Sequence, residues 1–205
     1  MYKNQKYYSQ LGQDEWVLET LNYKRNGFFI EIGAYDGIHL SNTYALEKDF
    51  GWNGICVECN PEVIPQLRKN RRCDIEEKPV IHLNDIDFPF YSHSEDKTLS
   101  SLALNGCVID NTTGEPLEAQ HTLRTIDIDT LLKNHNAPVD IDYISVDTEG
   151  AELSIVSTFD FKRYNVACWT IEHNNDHDVG TFLINLFSFN GYNALQKEWD
   201  LFFWK

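Results

Sequence analysis

Five residues, Phe28-Phe29-Ile30-Glu31-Ile32, run straight into the loop Gly33-Ala34-Tyr35-Asp36-Gly37. A short apolar run ended by glycine reads as a buried strand, and residues 42–50 behind it read as a helix. The pattern repeats at once. Residues 54–58 form a second predicted strand, followed by a helix over 61–71 whose Pro61 suits a first turn. Two βα units laid end to end require a parallel sheet with helices on its faces, and this requirement organises everything downstream.

Ahead of these units, Trp16, Val17, Leu18 and Leu21 recur at helical spacing, so residues 13–21 are predicted to be a helix covering one face or edge of the sheet. Val80-Ile81-His82-Leu83 reads as a third strand. Residues 84–120 then turn polar and rich in Ser, Thr, Asn and Gly. A stretch this long within one domain is functional or contains its own hairpin, and it is predicted to be an insertion on the acceptor side of the site. Regularity returns with a strand end and helix over 123–135, a strand over 142–147, a helix over 151–159, a strand over 166–172 and a helix over 181–189. Residues 192–198 and 201–204 are β-prone and separated only by Trp199-Asp200, which demands an antiparallel hairpin. The expected fold class is α/β and Rossmann-like. Its sheet is seven-stranded and mostly parallel, with a reversed C-terminal strand and helices on both faces.

A chain of 205 residues with 42% hydrophobic content fits one domain with a sizeable core. The formal net charge of -15 disfavours nucleic acid, whose affinity is drawn from clustered cations. The main basic cluster, Arg68-Lys69-Asn70-Arg71-Arg72, reads as a solvated helix end opposing the helix dipole. Cys56, Cys59, Cys73, Cys107 and Cys168 form an odd set without paired metal spacing, so a reduced, cytoplasmic setting is expected. Cys56 lies inside the apolar run Gly54-Ile55-Cys56-Val57, which makes the Cys56-x-x-Cys59 pair core packing rather than redox or zinc chemistry. The N-terminus lacks an apolar signal core, and no stretch approaches the roughly 20 apolar residues of a membrane span. A monomer or homodimer is expected.

Parallel sheets bind ligands outside the carboxyl ends of their strands, where the strand order switches, so the residues at those ends are the candidate site. After the first strand stands Glu31-x-Gly33-x-x-x-Gly37, whose glycines permit a tight turn and close approach of backbone to a ligand. A dinucleotide fingerprint needs a second glycine to clear space for pyrophosphate, and Tyr35 fills that position. Glu58 closes the second strand 25 positions after Gly33, near the separation at which a carboxylate accepts hydrogen bonds from a ribose. Asp85 follows the third predicted strand and is placed to meet an adenine amino group, with Asn84 and Asp87 as competitors and a plain turn as the other reading.

The next strand delivers Asp147-Thr148-Glu149-Gly150-Ala151-Glu152 into a helix. Glu149 and Glu152 oppose the positive end of that helix, whereas Asp147 sits where a central strand meets the ligand crevice. A further strand ends in Glu172-His173-Asn174-Asn175-Asp176-His177. A neutral imidazole at His173 suits acceptance of a hydroxyl proton. Alternatively Asp147, Glu149, Glu172 and His173 together offer ligands for a divalent metal that would acidify the hydroxyl. The plainer reading has Glu172 and His173 bonded to neighbouring loops, with His177 at the surface. No nucleophile elbow is present.

These residues converge on a resemblance. Ser9-Gln10-Leu11-Gly12-Gln13-Asp14, Phe29 through Gly37 with Ser41-Asn42-Thr43, Leu46-Glu47 through Gly51-Trp52-Asn53-Gly54 to Val57-Glu58, Asp142 through Leu153, and Ile171-Glu172-His173-Asn174 together carry it. Across nearly its whole length the chain resembles the FkbM family of methyltransferases. The resemblance implies a class I methyltransferase sheet and S-adenosylmethionine as methyl donor, a cofactor without a pyrophosphate. It implies transfer to a hydroxyl, often on a sugar of a glycan, a glycoconjugate or a natural product. Cofactor contacts then fall on Glu31, Gly33, Ala34, Asp36, Gly37 and Glu58, with Asn42 near the amino acid end. Cys59 stands where a proline commonly follows the ribose carboxylate, and residues 84–120 match the family poorly.

The implied chemistry is O-methylation, with a base or bound cation at Asp147, Glu149 or His173 removing the hydroxyl proton and orientation supplying most of the acceleration. Two other readings share the fold. A NAD-dependent oxidoreductase would use Glu58 but conflicts with Tyr35, and a noncatalytic glycan-binding module leaves the carboxylates at Asp147 and Glu149 without a task.

Overall fold

The apolar run ending at Gly33 forms a strand buried on both faces, and six further strands gather on either side of it. The computed structural model describes residues 5–92, 100–102 and 119–205. In chain order the first βα units are α1 (Gln13–Thr20), β1 (Phe28–Ile32), α2 (Tyr44–Phe50), β2 (Asn53–Val57), α3 (Ile64–Asn70) and β3 (Asp74–Glu76). Three short strands follow, β4 (Asp87–Tyr91), β5 (Ser101–Leu102) and β6 (His121–Arg124). The chain then returns to the sheet with α4 (Ile128–Asn134), β7 (Asp140–Val146), α5 (Glu152–Val156), β8 (Asn165–Glu172), α6 (His177–Phe189), β9 (Asn193–Lys197) and β10 (Asp200–Trp204). The sheet order is β3-β2-β1-β7-β8-β10-β9, with β10 antiparallel to both neighbours, as the sequence predicts.

Alternation along the strands builds two apolar layers. Ile30, Ile32, Ile144, Val146, Trp169, Ile171 and Phe203 face one side, where Leu131 of α4, Ile155 of α5 and Phe187 of α6 cover them. Phe29, Tyr143 and Cys168 face the other, beneath Val17 of α1, Leu46 of α2 and Leu67 of α3. Helix α5 has five residues, too few to hold together alone, so the complete burial of Ile155 and Val156 is what fixes it. Trp169 and Phe203 anchor the reversed strand: the Phe203 ring stacks on Phe187 at 4.0 Å, and Trp169 meets Phe187 edge-on at 5.3 Å.

Three details differ from the sequence reading. The third strand of the sheet is β3, not residues 80–83, which make only an isolated bridge from Val80 to Ile126. Val80 and Ile81 are apolar because they plug the core as a loop, whereas Asp-Ile-Glu is too short and polar to announce a strand. The proline in the first turn of α3 is Pro65 rather than Pro61. Helix α6 begins at His177, four residues early, because the Asp176 side chain accepts hydrogen bonds from the Asp178 and Val179 amides. Of residues 84–120, β4 pairs with both β5 and β6 in a separate three-stranded antiparallel sheet. Residues 93–99 and 103–118, with Cys107, lie outside the described residues.

The basic cluster is only partly a solvated helix end. Arg71 is 4% exposed. Its Nε donates to Glu47, its Nη1 to Glu31 and its Nη2 to the Thr43 hydroxyl, at 2.7, 2.9 and 2.7 Å. Removing one partner of a buried pair strands the other charge, at a cost of about 3–5 kcal/mol. Arg71→Ala is therefore expected to lower the urea midpoint by a corresponding amount. An unchanged midpoint would mean that the pair adds nothing.

Candidate active site

The chain leaves β1 toward β2 on one side and later returns to β7 on the other, so the strand order switches between β1 and β7. A cavity of about 530 Å³ opens outside the carboxyl ends of these strands, within the range of roughly 300–1,000 Å³ that holds small molecules. Gly33, Ala34, Asn42, Glu58, Asp147, Glu149 and Glu172 line it, together with Glu31 at the end of β1.

Gly33 joins its two halves. At φ +93°, a Cβ on Gly33 would lie 1.6 Å from the Asp147 carbonyl oxygen, so only glycine lets the loop touch the end of β7. The Asp147 amide donates to Ile32 O at 2.9 Å across the same junction. Gly37 has a similar reason: a Cβ there would meet Arg71 and Leu67 at 2.6 and 2.7 Å. The glycines thus make room for protein backbone and side chains. Asp36 caps the turn, accepting from the Ile38 and His39 amides at 2.8 Å, and neither it nor Gly37 lines the cavity.

Glu31 is a hub. Its carboxylate accepts from the Ser41 hydroxyl, the Asn42 amide, the Thr43 hydroxyl and Arg71. This pins Asn42, whose Nδ2 donates to Ser145 Oγ at 2.8 Å. Asn42 Oδ1 is then buried without a hydrogen-bond partner among the described residues, beside the cavity. Glu58 Oε2 accepts from the Tyr35 amide at 2.9 Å and Oε1 from the Asn60 amide at 2.7 Å. The Cys59 amide also bonds this carboxylate, so of its about four acceptor sites one is left for a ligand. Asp85 stands apart, exposed in a turn and ion-paired with Arg124, away from the cavity.

Asp147 and Glu172 end adjacent strands, and with Glu149 they bring one carboxylate oxygen each within 4.8 Å of one another. Burial raises the Asp147 carboxyl above its ordinary value. Burial, then the hydrogen bond and charge of Asp147, push Glu172 up to about 10. Glu152 is structural: it accepts from the Thr148 and Gly150 amides and closes the turn before α5. His173 is 3% exposed and its ring packs against Gly180 of α6 rather than lining the cavity. Neither ring nitrogen has a partner among the described residues, and burial depresses its basicity.

Sequence reasoning missed part of the lining. Gln10, Gln13, Trp199, Asn174 and Asn175 also line the cavity. Gln13 donates to Asp200 at 2.7 Å and Lys197 to the Leu11 carbonyl, which ties the N-terminal segment to the β9–β10 hairpin. The signal was the Ser9-to-Asp14 segment, a conspicuous motif with no assigned task. Asp200 is buried, and burial lifts its carboxyl to about 7, opposed by the Gln13 bond. An unfolded Asp titrates near 3.9, so the folded chain keeps a proton that the unfolded chain has lost. Stability from this group is therefore full below about pH 4 and is lost as pH rises through about 7. The melting temperature is expected to fall from pH 5 to pH 8, less steeply in Asp200→Asn. Equal slopes in the two proteins would remove Asp200 as the cause.

Among solved structures, the methyltransferase domain of METTL16 is 12% identical over 93% of this chain and 65% of that chain, with a TM-score of 0.51. Precorrin-6y C5,15-methyltransferase from Geobacter metallireducens GS-15 is 13% identical over 94% and 87%, with a TM-score of 0.48. The N-terminal domain of human METTL16 in complex with SAH is 12% identical over 92% and 67%, with a TM-score of 0.44. At these identities the likeness is one of fold, and the first structure carries it. No curated protein matches the chain. Residues 31–194 match the Methyltransferase FkbM domain, a span that begins at the Glu31 hub and takes in the glycine loop, Glu58, Asp147 and Glu172. The chain belongs to the FkbM methyltransferase family, and its cofactor is S-adenosylmethionine.

Proposed function

We propose that the protein transfers the methyl group of S-adenosylmethionine to a hydroxyl of a sugar in a glycan or glycoconjugate. The observation that carries this reading is the uncharged polar and aromatic part of the lining. Gln10, Asn174 and Asn175 offer amide donors and acceptors in the cavity that Trp199 also lines, a set that suits the hydroxyls and apolar face of a sugar ring, while both ends of the Gln13 amide are held by Asp200 and the Leu11 amide. The cavity fits the cofactor by charge. Glu58, Asp147 and Glu149 line it beside Glu31, whose charge Arg71 offsets, and Glu172, whose carboxyl is pushed up to about 10, and among the described lining residues there is no Lys or Arg. Such a wall favours a sulfonium and an ammonium and repels a pyrophosphate, which supports the family's cofactor over NAD.

When bound, the cofactor supplies an activated methyl whose carbon–sulfur bond breaks, with its electron pair staying on sulfur, as the acceptor oxygen forms the new bond. The residues do the rest. Glu58 holds the ribose with the acceptor site its own loop leaves open, and Asn42 Oδ1 receives the ammonium. Asp147 and Glu149 stand where the hydroxyl proton departs, and His173 backs the end of β8. The carboxylates orient the hydroxyl, exclude competing anions and take the proton. A protein that only bound glycans would need none of the cofactor contacts.

Calorimetry with adenosylhomocysteine and with NAD is expected to show binding of the first alone. Glu58→Gln should weaken it about ten- to a hundredfold, the worth of a charge-assisted hydrogen bond. Full affinity in that variant would place the ribose elsewhere. Adenosylhomocysteine release against a panel of sugars tests the reaction. Asp147→Ala is expected to lower turnover by a factor of about 10² or more, with cofactor affinity kept within about threefold. Retained turnover would take Asp147 out of the chemistry, and a protein that binds cofactor but methylates no hydroxyl compound would refute the acceptor class.

A further inference from the structure

Asp147 and Glu172 reach the cavity from the ends of β7 and β8, and Glu149 from the turn between β7 and α5, yet their carboxylates converge on one point. Convergence of like charges is unfavourable unless something positive lies between them. Glu172 supplies an independent sign. It is 9% exposed, and its Oε2 is buried with no hydrogen-bond partner among the described residues. Buried polar atoms are almost always satisfied, and a carboxylate oxygen without a donor is the atom a cation would satisfy. The donor set is all oxygen: His173 is turned against α6, and among the described residues no imidazole or thiolate joins the three.

We propose that Asp147, Glu149 and Glu172 hold one divalent cation of the hard, oxygen-preferring class, Mg²⁺ or Mn²⁺, and that this ion receives the oxygen of the acceptor hydroxyl. Carboxylates with open positions for water or substrate match the preference of such ions. Held there, the cation would acidify the hydroxyl and fix its direction of attack, and the proton would pass to a carboxylate oxygen that does not hold the ion, and from there to solvent. The ion's role in the reaction rests on the proposed transfer to a hydroxyl; its binding does not. The competing occupant is a proton shared between Asp147 and Glu172, in keeping with the raised carboxyl of Glu172.

Titration of the metal-free full chain with Mn²⁺, followed through the EPR signal of the free ion, decides between them. One Mn²⁺ per chain is expected. Glu172→Gln and Asp147→Asn should each weaken it at least about tenfold, the loss caused even by removing an indirect partner of a metal ligand. Urea midpoints no lower than wild type would certify that both variants fold, since each removes a like charge. Mn²⁺ that stays in solution, or binds the wild type and both variants alike, overturns the proposal. Mn²⁺ binding as expected without methylation of any hydroxyl compound upholds the cation site and sinks the hydroxyl reading. Methylation of a hydroxyl at full rate in protein stripped of metal by chelation upholds the hydroxyl reading and overturns the ion's role in it.

Discussion

Glu31 is an acidic side chain in the middle of an otherwise apolar strand, almost wholly removed from water. Left alone there it would be protonated or the strand would not pack, because an unpaired buried charge costs several kcal/mol. The chain supplies Arg71 from α3 and two hydroxyls and an amide from the segment 41–43. Satisfying one carboxylate therefore fixes three separated pieces: the end of β1, the approach to α2 and the end of α3. The position of Asn42 at the cavity follows from this, since its backbone amide is one of the donors.

A similar set of contacts links the β1 side of the cavity to the ends of β7 and β8. Gly33 touches the carbonyl of Asp147, so the loop cannot move without moving the end of β7. A buried chain of polar groups continues beneath: Asn42 donates to Ser145, which also accepts from Thr170, whose hydroxyl meets that of Tyr143 at 2.5 Å. Ser145 and Thr170 sit two residues before Asp147 and Glu172 on their strands, and two-residue periodicity puts them on the same face. The acidic cluster thus stands on a hydrogen-bonded floor instead of an apolar one, which is why carboxylates can be kept there at all.

The βα alternation, the reversed hairpin and the residues at the strand ends were legible because each is local: an apolar run, a glycine, a carboxylate at the next position. What escaped was non-local. Arg71 looks like its neighbours Arg68 and Arg72 in a basic helix end, and only the fold reveals that it alone turns inward to Glu31 and Glu47. Val80-Ile81 has the composition of a strand and serves as a core plug, because an apolar run reports burial without reporting pairing. Asp85 has the sequence position of a ligand contact, but without a paired strand before it the turn carries the side chain out to Arg124. Trp199 sat in a two-residue hairpin connection, where nothing in the local pattern said that the hairpin tip would fold over the cavity.

Family membership makes the protein an adenosylmethionine-dependent methyltransferase, and the function proposed above gives the cavity a cofactor wall along Glu31, Asn42 and Glu58 and a reacting wall at Asp147, Glu149 and Glu172. A crystal structure with adenosylhomocysteine tests that division most directly. The expected density has the ribose hydroxyls on Glu58, the amino group at Asn42 Oδ1 and the sulfur facing the Asp147 cluster with open space beyond it. Adenosylhomocysteine seated with its sulfur turned away from Asp147, or with its ribose off Glu58, would contradict the account.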